Sequence, residues 1–441
     1  MNIVIDLLIL MFLMALGVPV PFCFMAAVLF LIATGDYSFS FLMPIAFYKM
    51  NSLTLLAVPF FIMVGGLMQS SGVAERLVGV ANAMVGGIKG GLGSASVVAC
   101  AIFGAIAGTC SAAVAAIGSI MIPRMVKDGY PRGHATGLIA CASVLGQLIP
   151  PSVPMILYGW VTWQPIQACF LATVGPGIVL IIIYAFLNAW MCRRYPGIKI
   201  PPPMGFTGRV KETGRACWRG TFALIAPVII LGGIYAGIFY PTESATAAVV
   251  YVIFLGFVVY RSMTVRDLGR TLFQTATTSG VIMLMLFFVL MLGRIYTMEN
   301  VPQRLIALMK EISENRYVIL LMMNLFLIII GMLMDDFSGT LLAAPLLLPI
   351  AKEIGVHPVH LAAILGTNLG LGNVTPPCAP ILYLAGRVGN CSFEKMIGPA
   401  SKFMLLGSLP VVLITTYCPQ LVLWLPNLLM PEIVPVVGWV K

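Results

Sequence analysis

Long apolar runs, separated by short polar or proline-containing segments, dominate the chain. Several of them contain about 17 to 25 residues, which is enough for a helix to cross the hydrocarbon core of a bilayer. The clearest runs are Leu53–Gln69, Ala168–Cys192, Thr221–Tyr240, Ala245–Tyr260, Thr277–Gly293, Val318–Met334 and Phe403–Leu425. Since strands cannot span a bilayer outside a closed barrel, this pattern predicts an all-α polytopic membrane protein.

One stretch of the chain is repeated at a shift of 226 residues. The shift superimposes Pro123 on Pro349 and Gly129 on Gly355, and it superimposes Leu145–Gly146 on Leu371–Gly372. It also aligns three prolines of each copy, namely Pro150, Pro151 and Pro154 with Pro376, Pro377 and Pro380. Because proline and glycine interrupt helices, the repeat predicts a helical hairpin and a broken helix in each half. The hairpin tips are expected at about 107–112 and 334–340, and the breaks at about 145–154 and 371–380.

Basic residues predict how the halves lie in the membrane. Between two apolar runs stand Arg193, Arg194, Lys199, Arg209, Lys211, Arg215 and Arg219, with Glu212 as their acidic neighbour. A second basic loop follows two crossings later with Arg261, Arg266 and Arg270. Basic loops stay on the cytoplasmic side of the membrane. When the membrane crossings are counted from these loops, the first hairpin is expected to enter the membrane from the cytoplasm and the second from the outside. We therefore predict two inverted-topology repeats, 1–192 and 219–425, joined by a cytoplasmic loop 193–218 and followed by a tail 426–441.

Composition narrows the class of function. The chain is 60% hydrophobic and 9% charged, with a mean hydropathy of +1.03, whereas soluble domains carry about a quarter charged residues. Ten cysteines lie in apolar segments without a C-x-x-C motif, so no disulfide framework or zinc site is expected. The sequence has no Walker loop and no nucleophile–base pair, which argues against an ATPase and against an intramembrane enzyme. The net charge of +10 requires no nucleic-acid partner, because the basic residues belong to membrane loops.

The breaks suggest a binding site. Broken helices are tolerated at membrane depth only where they are buried in protein or line a polar cavity. Carbonyls freed by the proline pairs are hard oxygen ligands suited to a small cation, and exposed helix N-termini attract an anion. Two tips and two breaks that meet at mid-membrane would therefore form a site for a cation and an anion together.

The acidic pair at the second tip is the most informative difference between the halves. Asp335 is the repeat mate of Thr109, so the two tips differ there by a carboxylate. Such a carboxylate serves a cation or binds a substrate hydroxyl, unless the tip simply lies in water near the surface. We expect Asp335 to be required for activity, and Asp336 to point elsewhere as its solvated neighbour. Glu243 is expected to cap the helix after its turn.

Short motifs throughout the chain resemble a known family. In the first half they are Phe103–Gly104–Ala105, Ala115–Ala116–Ile117–Gly118, Ile122–Pro123, Gly129–Tyr130 and Leu148–Ile149–Pro150–Pro151–Ser152. In the second half they are Pro241–Thr242–Glu243, Met334–Asp335, Pro345 with Pro349, Asn368–Leu369, Gly372 and Thr375–Pro376–Pro377. Together they resemble the large membrane subunit of the tripartite ATP-independent periplasmic (TRAP) transporters. One departure is Ala107–Gly108–Thr109, where the family commonly shows Ser-Gly-Ser.

The resemblance implies a sodium-driven importer of small organic acids such as C4-dicarboxylates, which works in the bacterial inner membrane by an elevator movement. It implies the ion-transporter superfamily fold, and it implies two protein partners: a separate four-helix membrane subunit and a periplasmic substrate-binding protein, with membrane lipid around them. Two alternatives stay open. A standalone carrier of the same superfamily would transport without a binding protein, and a passive channel would need a continuous polar pore.

Repeat symmetry then assigns candidate residues on the tips and breaks. Sodium ions are expected at two pseudo-symmetric positions, formed by Gly108, Ser111, Gly146 and Pro150 and by Asp335, Ser338, Gly339, Gly372 and Thr375. The organic acid is expected to contact Thr109, Ser111, Ser152, Asp335, Asn368 and Thr375. No catalytic residue is expected.

Overall fold

The computed structural model describes residues 2–35, 37–85, 87, 89–199 and 206–439, without the side chains of 206–210, 212 and 219. Three members of the predicted basic loop, Arg209, Glu212 and Arg219, therefore lie outside the described side chains, and residues 200–205 lie outside the description altogether. The same holds for residue 1 of the first predicted repeat and for residues 440 and 441 of the predicted tail.

In the first part of the chain, the regular secondary structure of the described residues is helical, and turns and short coil segments join the helices. A single 3₁₀ turn, Leu53–Leu56, leads into the fourth helix. The helices are α1 Asn2–Ala15, α2 Val20–Thr34, α3 Phe39–Met50, α4 Ala57–Ser70, α5 Val73–Val85, α6 Gly91–Ala107, α7 Cys110–Lys127, α8 Arg132–Ala142, α9 Leu145–Leu148, α10 Val153–Thr162 and α11 Ile166–Cys192.

The second part is built in the same way. Its helices are α12 Phe206–Arg219, α13 Thr221–Pro227, α14 Gly233–Tyr235, α15 Pro241–Phe254, α16 Val265–Met298, α17 Val301–Ile312, α18 Arg316–Leu333, α19 Asp336–Glu353, α20 Pro358–Val374, α21 Pro380–Gly389, α22 Phe393–Phe403, α23 Leu409–Tyr417 and α24 Pro419–Leu429. Short π-helical turns extend three of these helices, at Val228–Gly232, Leu255–Val259 and Met404–Ser408.

The predicted class of an all-helical polytopic membrane protein is confirmed. Within the described residues, seven helical segments are long and apolar enough to span a bilayer, or eight if the bent pair Arg132–Leu148 and Val153–Thr162 is one span. That pair is bent by 42° at its break. The chain is therefore an all-α polytopic membrane protein.

One predicted boundary is wrong. The run Thr277–Gly293 belongs to α16, whose 34 residues are about 51 Å long at about 1.5 Å per residue. Arg266 and Arg270 consequently lie in the first turns of this helix and not in a loop. The helix begins early because Thr264 and Asp267 form a capping box, in which Thr264 Oγ1 accepts from Asp267 N at 3.2 Å.

A second cap agrees with its prediction. Glu243 Oε2 accepts a hydrogen bond of 2.9 Å from the backbone N–H of Tyr240, just before α15 begins at Pro241. This N–H would otherwise lack an intrahelical partner at the start of the helix. Capping by Glu243 is thus confirmed.

The repeat in the sequence is also a repeat in local structure. Helices α7 and α19 both contain 18 residues, and their ends differ by the same 226-residue shift. Helices α8 and α20 begin at the same shift. The turns before them contain Gly129 at a φ of +91° and Gly355 at a φ of +74°, a conformation that favours glycine.

The two copies pack against each other reciprocally. Helix α7 packs on α21, while its mate α19 packs on α10, which is the mate of α21. Two residues also lie next to their own mates: the Cys110 thiol lies beside the Asp336 carboxylate, and a Cβ on Gly370 would collide with the Val144 side chain. Contacts between mates are typical of residues beside a twofold axis, so the packing indicates a pseudo-twofold relation between the copies. Their opposite orientation in the membrane and their end points stay predictions.

Helix crossings near the second break depend on glycine, which gives a test of the packing. A Cβ on Gly372 of α20 would lie 2.6 Å from Gly331 Cα of α18, so Gly372→Ala must push two backbones apart. We expect a loss of about 1–3 kcal/mol of stability, as for other overpacked cores. Thermal unfolding of the purified protein in detergent should show a lower transition temperature.

Gly293→Ala is the matched control, because a Cβ on Gly293 of α16 would meet no atom within 4 Å. Alanine favours a helix over glycine, so this variant should unfold at the same temperature as the wild type or higher. Equal transition temperatures for Gly372→Ala and the wild type would contradict the close crossing.

Candidate functional site

The first hairpin tip is docked on the first break. Helix α6 ends at Gly108, whose φ of +67° reverses the chain, and Thr109 Oγ1 caps α7 by accepting from Ala112 N at 3.3 Å. Across the tip, Gly108 O accepts a hydrogen bond of 3.0 Å from Val153 N. The first backbone N–H of α10, which the break leaves without an intrahelical partner, is thereby satisfied by the tip.

Two glycines allow this docking. A Cβ on Gly108 would lie 2.5 Å from Pro151 O, and a Cβ on Gly146 would lie 2.6 Å from Thr109 O. Both neighbours are backbone oxygens, so neither position has room for a side chain. The structure therefore brings together four residues that the sequence analysis assigned to this half, namely Gly108, Thr109, Gly146 and Pro150.

The two predicted serines of this half differ in their surroundings. Ser152 is fully buried, and its hydroxyl has no partner among the described residues. Ser111 is exposed on the first turn of α7. Ala107, which replaces the family's usual serine, is fully buried, and its methyl lies 3.3 Å from the Cβ position of Gly65 on α4. The side chain at position 107 therefore packs against α4.

The second tip has the same cap with a charged residue. Asp335 caps α19, its Oδ1 accepting from the N–H of Ser338 at 3.3 Å and also from the Ser338 hydroxyl. The Ser338 hydroxyl lies 2.6 Å from the sulfur of Met285 on α16. Asp335 is only partly buried, whereas Ser338 is fully buried.

The second break is packed as tightly as the first. A Cβ on Gly339 would lie 2.8 Å from the Leu369 side chain of α20, and Gly372 crosses Gly331 as described above. The Thr375 hydroxyl donates to Leu371 O at 2.6 Å, one turn earlier in its own helix. Asp335, Ser338, Gly339, Gly372 and Thr375 are all part of this tip and break.

Asn368 has a different neighbourhood. Its Nδ2 donates to Asn324 Oδ1 at 2.9 Å, and Thr416 Oγ1 donates to the same oxygen at 3.0 Å. This buried cluster joins α20 to α18 and α23. The described hydrogen bonds of Asn368 therefore connect helices and do not reach either tip.

The expectation for Asp336 is wrong. Asp336 is 5% exposed, and its Oδ1 accepts a hydrogen bond from Asn373 Nδ2. Its carboxylate also lies beside the Cys110 thiol of the first tip. The reason is the cap: Asp335 turns back onto its own helix as the capping residue, so Asp336 at the first helical position is the one that meets the other repeat.

Two amides at the breaks were not assigned from the sequence, although the repeat pairs them. Gln147 and Asn373 are mates at the 226-residue shift, and each precedes a proline pair. Gln147 Nε2 donates to Gly366 O at 2.9 Å. The amide oxygens of both residues are buried without a partner among the described residues. A search of the sequence for positions that are polar in both copies of the repeat would have found them.

Within the described part of the chain, the acidic pair takes part in no ion pair. Among the described residues the ion pairs are Glu299–Arg304 and Lys310–Glu353, and neither includes Asp335 or Asp336. A carboxylate at the centre of a membrane helix costs about 2.5–3.5 kcal/mol on insertion scales, so a cation or a proton is needed beside it. Carboxylate, amide and hydroxyl oxygens are the donors that hard cations prefer.

Comparison with known proteins places the chain in a family. Residues 7–421 match the model described as "Tripartite ATP-independent periplasmic transporter, DctM component". The isethionate TRAP transporter permease protein DctMQ of Oleidesulfovibrio alaskensis is 34% identical over 417 residues, which are 92% of this chain but 64% of that protein. The C4-dicarboxylate TRAP transporter large permease protein DctM of Pseudomonas aeruginosa is 36% identical over 374 residues, 85% of this chain and 86% of that protein.

A solved structure shares the fold. The Alcanivorax borkumensis YdaH transporter matches with a TM-score of 0.50 and 15% sequence identity, covering 84% of this chain and 87% of that one. At this identity the likeness concerns the arrangement of helices alone.

The contact between the tips can be tested by cross-linking. In a variant whose other cysteines are replaced by alanine, Cys110 and Asp336→Cys should form a disulfide on mild oxidation, because the two side chains are in contact. Mass spectrometry of the digested protein should detect the linked peptides. Cys110 with Glu353→Cys is the control, since Glu353 is at the far end of α19. Equal cross-linking of both pairs, or none of the first, would contradict the arrangement.

Proposed function

The chain belongs to the DctM component family of the tripartite ATP-independent periplasmic transporters, and from this premise we propose sodium-coupled import of a small organic anion. It is a transport protein of the bacterial inner membrane and not an enzyme. The observation that carries the proposal is the meeting of two tips and two breaks around an acidic pair that has no ion-pair partner among the described residues. Sodium supplies the missing positive charge, and its gradient supplies the driving force.

Two sodium ions are proposed, one in each half. In the first half the ligands are oxygens around Gly108, Gly146 and Pro150, where the tip touches the break. In the second half they are oxygens of the Asp335–Gly339 tip, together with Gly372 and Thr375. The support is the oxygen-rich packing and the local symmetry. To these we add Asp336 and the unpaired amide oxygens of Gln147 and Asn373.

The substrate is proposed to lie between the two tips. Helices α7 and α19 begin there, and the positive ends of helix dipoles favour an acid group. Ser152 has a buried, unpaired hydroxyl for it, and Thr109 and Ser111 stand on the neighbouring tip. The names of the two relatives mention isethionate and C4-dicarboxylate, which are both small organic anions. An anion of this class is the proposed cargo.

The movement is proposed to carry the whole site at once. The first tip is bonded to its break, and backbone-to-backbone glycine contacts leave little room for sliding. Opening one tip alone would expose unpaired backbone groups to hydrocarbon. A rigid-body elevator movement of tips and breaks past α4 and α16 avoids this cost.

A small four-helix membrane subunit and a periplasmic substrate-binding protein complete the proposed transporter, which gives a direct test. Purified chain in liposomes should show no uptake alone, whereas adding both partners and a sodium gradient should drive accumulation of a labelled organic acid. A panel of dicarboxylates and sulfonates, each with its binding protein, would identify the substrate. Dependence on sodium should have a Hill coefficient clearly above one, since two ions are proposed.

Equal concentrations of sodium on both sides of the membrane provide the control and should abolish accumulation. Strong uptake by the lone chain would favour a standalone carrier of the same superfamily. Downhill flux without dependence on sodium would favour a passive channel, and a Hill coefficient near one would contradict two ions.

Variants of the acidic pair separate charge from capping. Asp335→Ser keeps a good capping side chain but removes the carboxylate, so uptake should fall at least about tenfold while the unfolding temperature stays near the wild-type value. Asp335→Ala loses both the cap and the charge, so both uptake and stability should fall. Asp336→Asn should also lower uptake, with a higher sodium concentration at half-maximal rate, because its carboxylate contacts Asn373 at the second break and lies beside Cys110 of the first tip.

Glu314→Gln is the control, since this exposed acid lies in the turn before α18. Its uptake should match the wild type. Normal sodium-driven uptake by Asp335→Ser would show that the Asp335 carboxylate acts only as a helix cap. Normal uptake by Asp336→Asn would show that the charge of Asp336 is not needed for transport.

A further inference from the structure

A polar cavity separate from the tips and breaks lies between α5 and α12. Its volume is about 380 Å³, within the range of small-ligand pockets. The residues that line it are Arg76, Gly79, Asn82, Ala83, Arg215, Ala216 and Gly220. Four of them are glycine or alanine, so the floor is backbone and methyl groups while two arginines and an amide provide the polar groups.

The two helices are held together in a way that keeps this cavity open. Thr213 Oγ1 of α12 donates to Ala83 O of α5 at 3.0 Å. At the other end, a Cβ on Gly220 would lie 2.8 Å from the Val80 side chain, so the chains approach closely there. Between these contacts a Cβ on Gly79 would meet no atom within 4 Å, and that open space is the cavity.

Arg76 is fixed in place before any ligand binds. Its Nη1 donates to Gly72 O at 2.8 Å, and its guanidinium carbon lies 3.5 Å from the centre of the Tyr260 ring. A guanidinium has five N–H donors, so several stay available to an anion. Neither Arg76 nor Arg215 takes part in an ion pair among the described residues, and none of the described residues that line the cavity is acidic.

The surroundings are those of a membrane–water interface. Helix α12 follows the basic stretch at Arg193 and Arg194, which marks the cytoplasmic side. Near the cavity, Trp218 is 82% exposed and Phe222 is 50% exposed. Exposed aromatic side chains beside basic ones are typical of the headgroup level, where rings meet acyl chains and cations meet phosphates.

We propose that this cavity binds the headgroup of an anionic phospholipid from the cytoplasmic leaflet. Arg76 and Arg215 bind the phosphate, Asn82 hydrogen-bonds the headgroup, and the acyl chains lie along Trp218 and Phe222. A guanidinium pair recognises phosphate through charge-assisted hydrogen bonds. The apolar rim favours a lipid over free phosphate. Helix α5 precedes α6, which is the first helix of the first hairpin. The bound lipid therefore fixes the position of α5 and, through it, of that hairpin.

The experiment measures lipid binding to the full purified chain in detergent by native mass spectrometry. Short-chain phosphatidylglycerol is the probe, with phosphatidylcholine of the same chain length and inorganic phosphate as comparisons. We expect one tight phosphatidylglycerol adduct, with at least about tenfold weaker binding of phosphatidylcholine. Arg76→Gln with Arg215→Gln should weaken phosphatidylglycerol binding about tenfold or more. Gly79→Leu should do the same by filling the cavity without altering any charge.

Each variant has a matched control on α16. Arg266→Gln with Arg270→Gln removes the same charge from exposed positions on the same membrane face, and Gly269→Leu adds the same side chain where a Cβ meets nothing. Both should bind phosphatidylglycerol like the wild type. If the arginine control loses as much phosphatidylglycerol binding as Arg76→Gln with Arg215→Gln, the binding depends on general surface charge and the proposal is overturned. Unchanged binding by Gly79→Leu, equal binding of phosphatidylcholine, or displacement of the adduct by inorganic phosphate would each overturn the proposal.

Discussion

The satisfaction of backbone groups at two helix breaks is the constraint on which the rest of this structure depends. In hydrocarbon an unpaired N–H or carbonyl costs several kcal/mol, so a broken helix needs a partner at its break. In the first half Gly108 O accepts from Val153 N, and the glycines at 108 and 146 let the tip approach to backbone distance. The second half obtains the same closeness where Gly331 meets Gly372. In each half, the hairpin and the broken helix therefore pack together in the same way.

Polar chemistry at membrane depth follows from this packing. Each tip starts a helix that must be capped, and each cap puts an oxygen-bearing side chain beside a break, Thr109 in one half and Asp335 in the other. The amides of Gln147 and Asn373 add unpaired oxygens at equivalent positions. The proposed ion sites are therefore assembled from the same groups that make the interrupted backbone tolerable.

The sequence was sufficient to predict the features that depend on the backbone preferences of proline, glycine and capping residues. Proline and glycine register predicted the repeat, the tips and the breaks, and the cap by Glu243 followed from its position after Pro241. It was not sufficient where side-chain direction decides. Asp335 and Asp336 are adjacent, and only the observed cap shows that the first turns back while the second meets Cys110. The first turns of α16 could have been predicted only by recognising a capping box within a basic segment. The residues that form a cluster with Asn368, which are Asn324 and Thr416, come from helices distant in sequence.

The pseudo-twofold adds one further step. Cys110 and Asp336 are repeat mates that touch each other, so they lie beside the axis that relates the two copies. At this point the local backbones are equivalent while the chemistry is not, since one copy has a thiol and the other a carboxylate. Twofold packing of hairpins and breaks alone would make two equal sites. In the proposed transporter the carboxylates of the second tip make them unequal, at the place where the proposed substrate would lie between the tips.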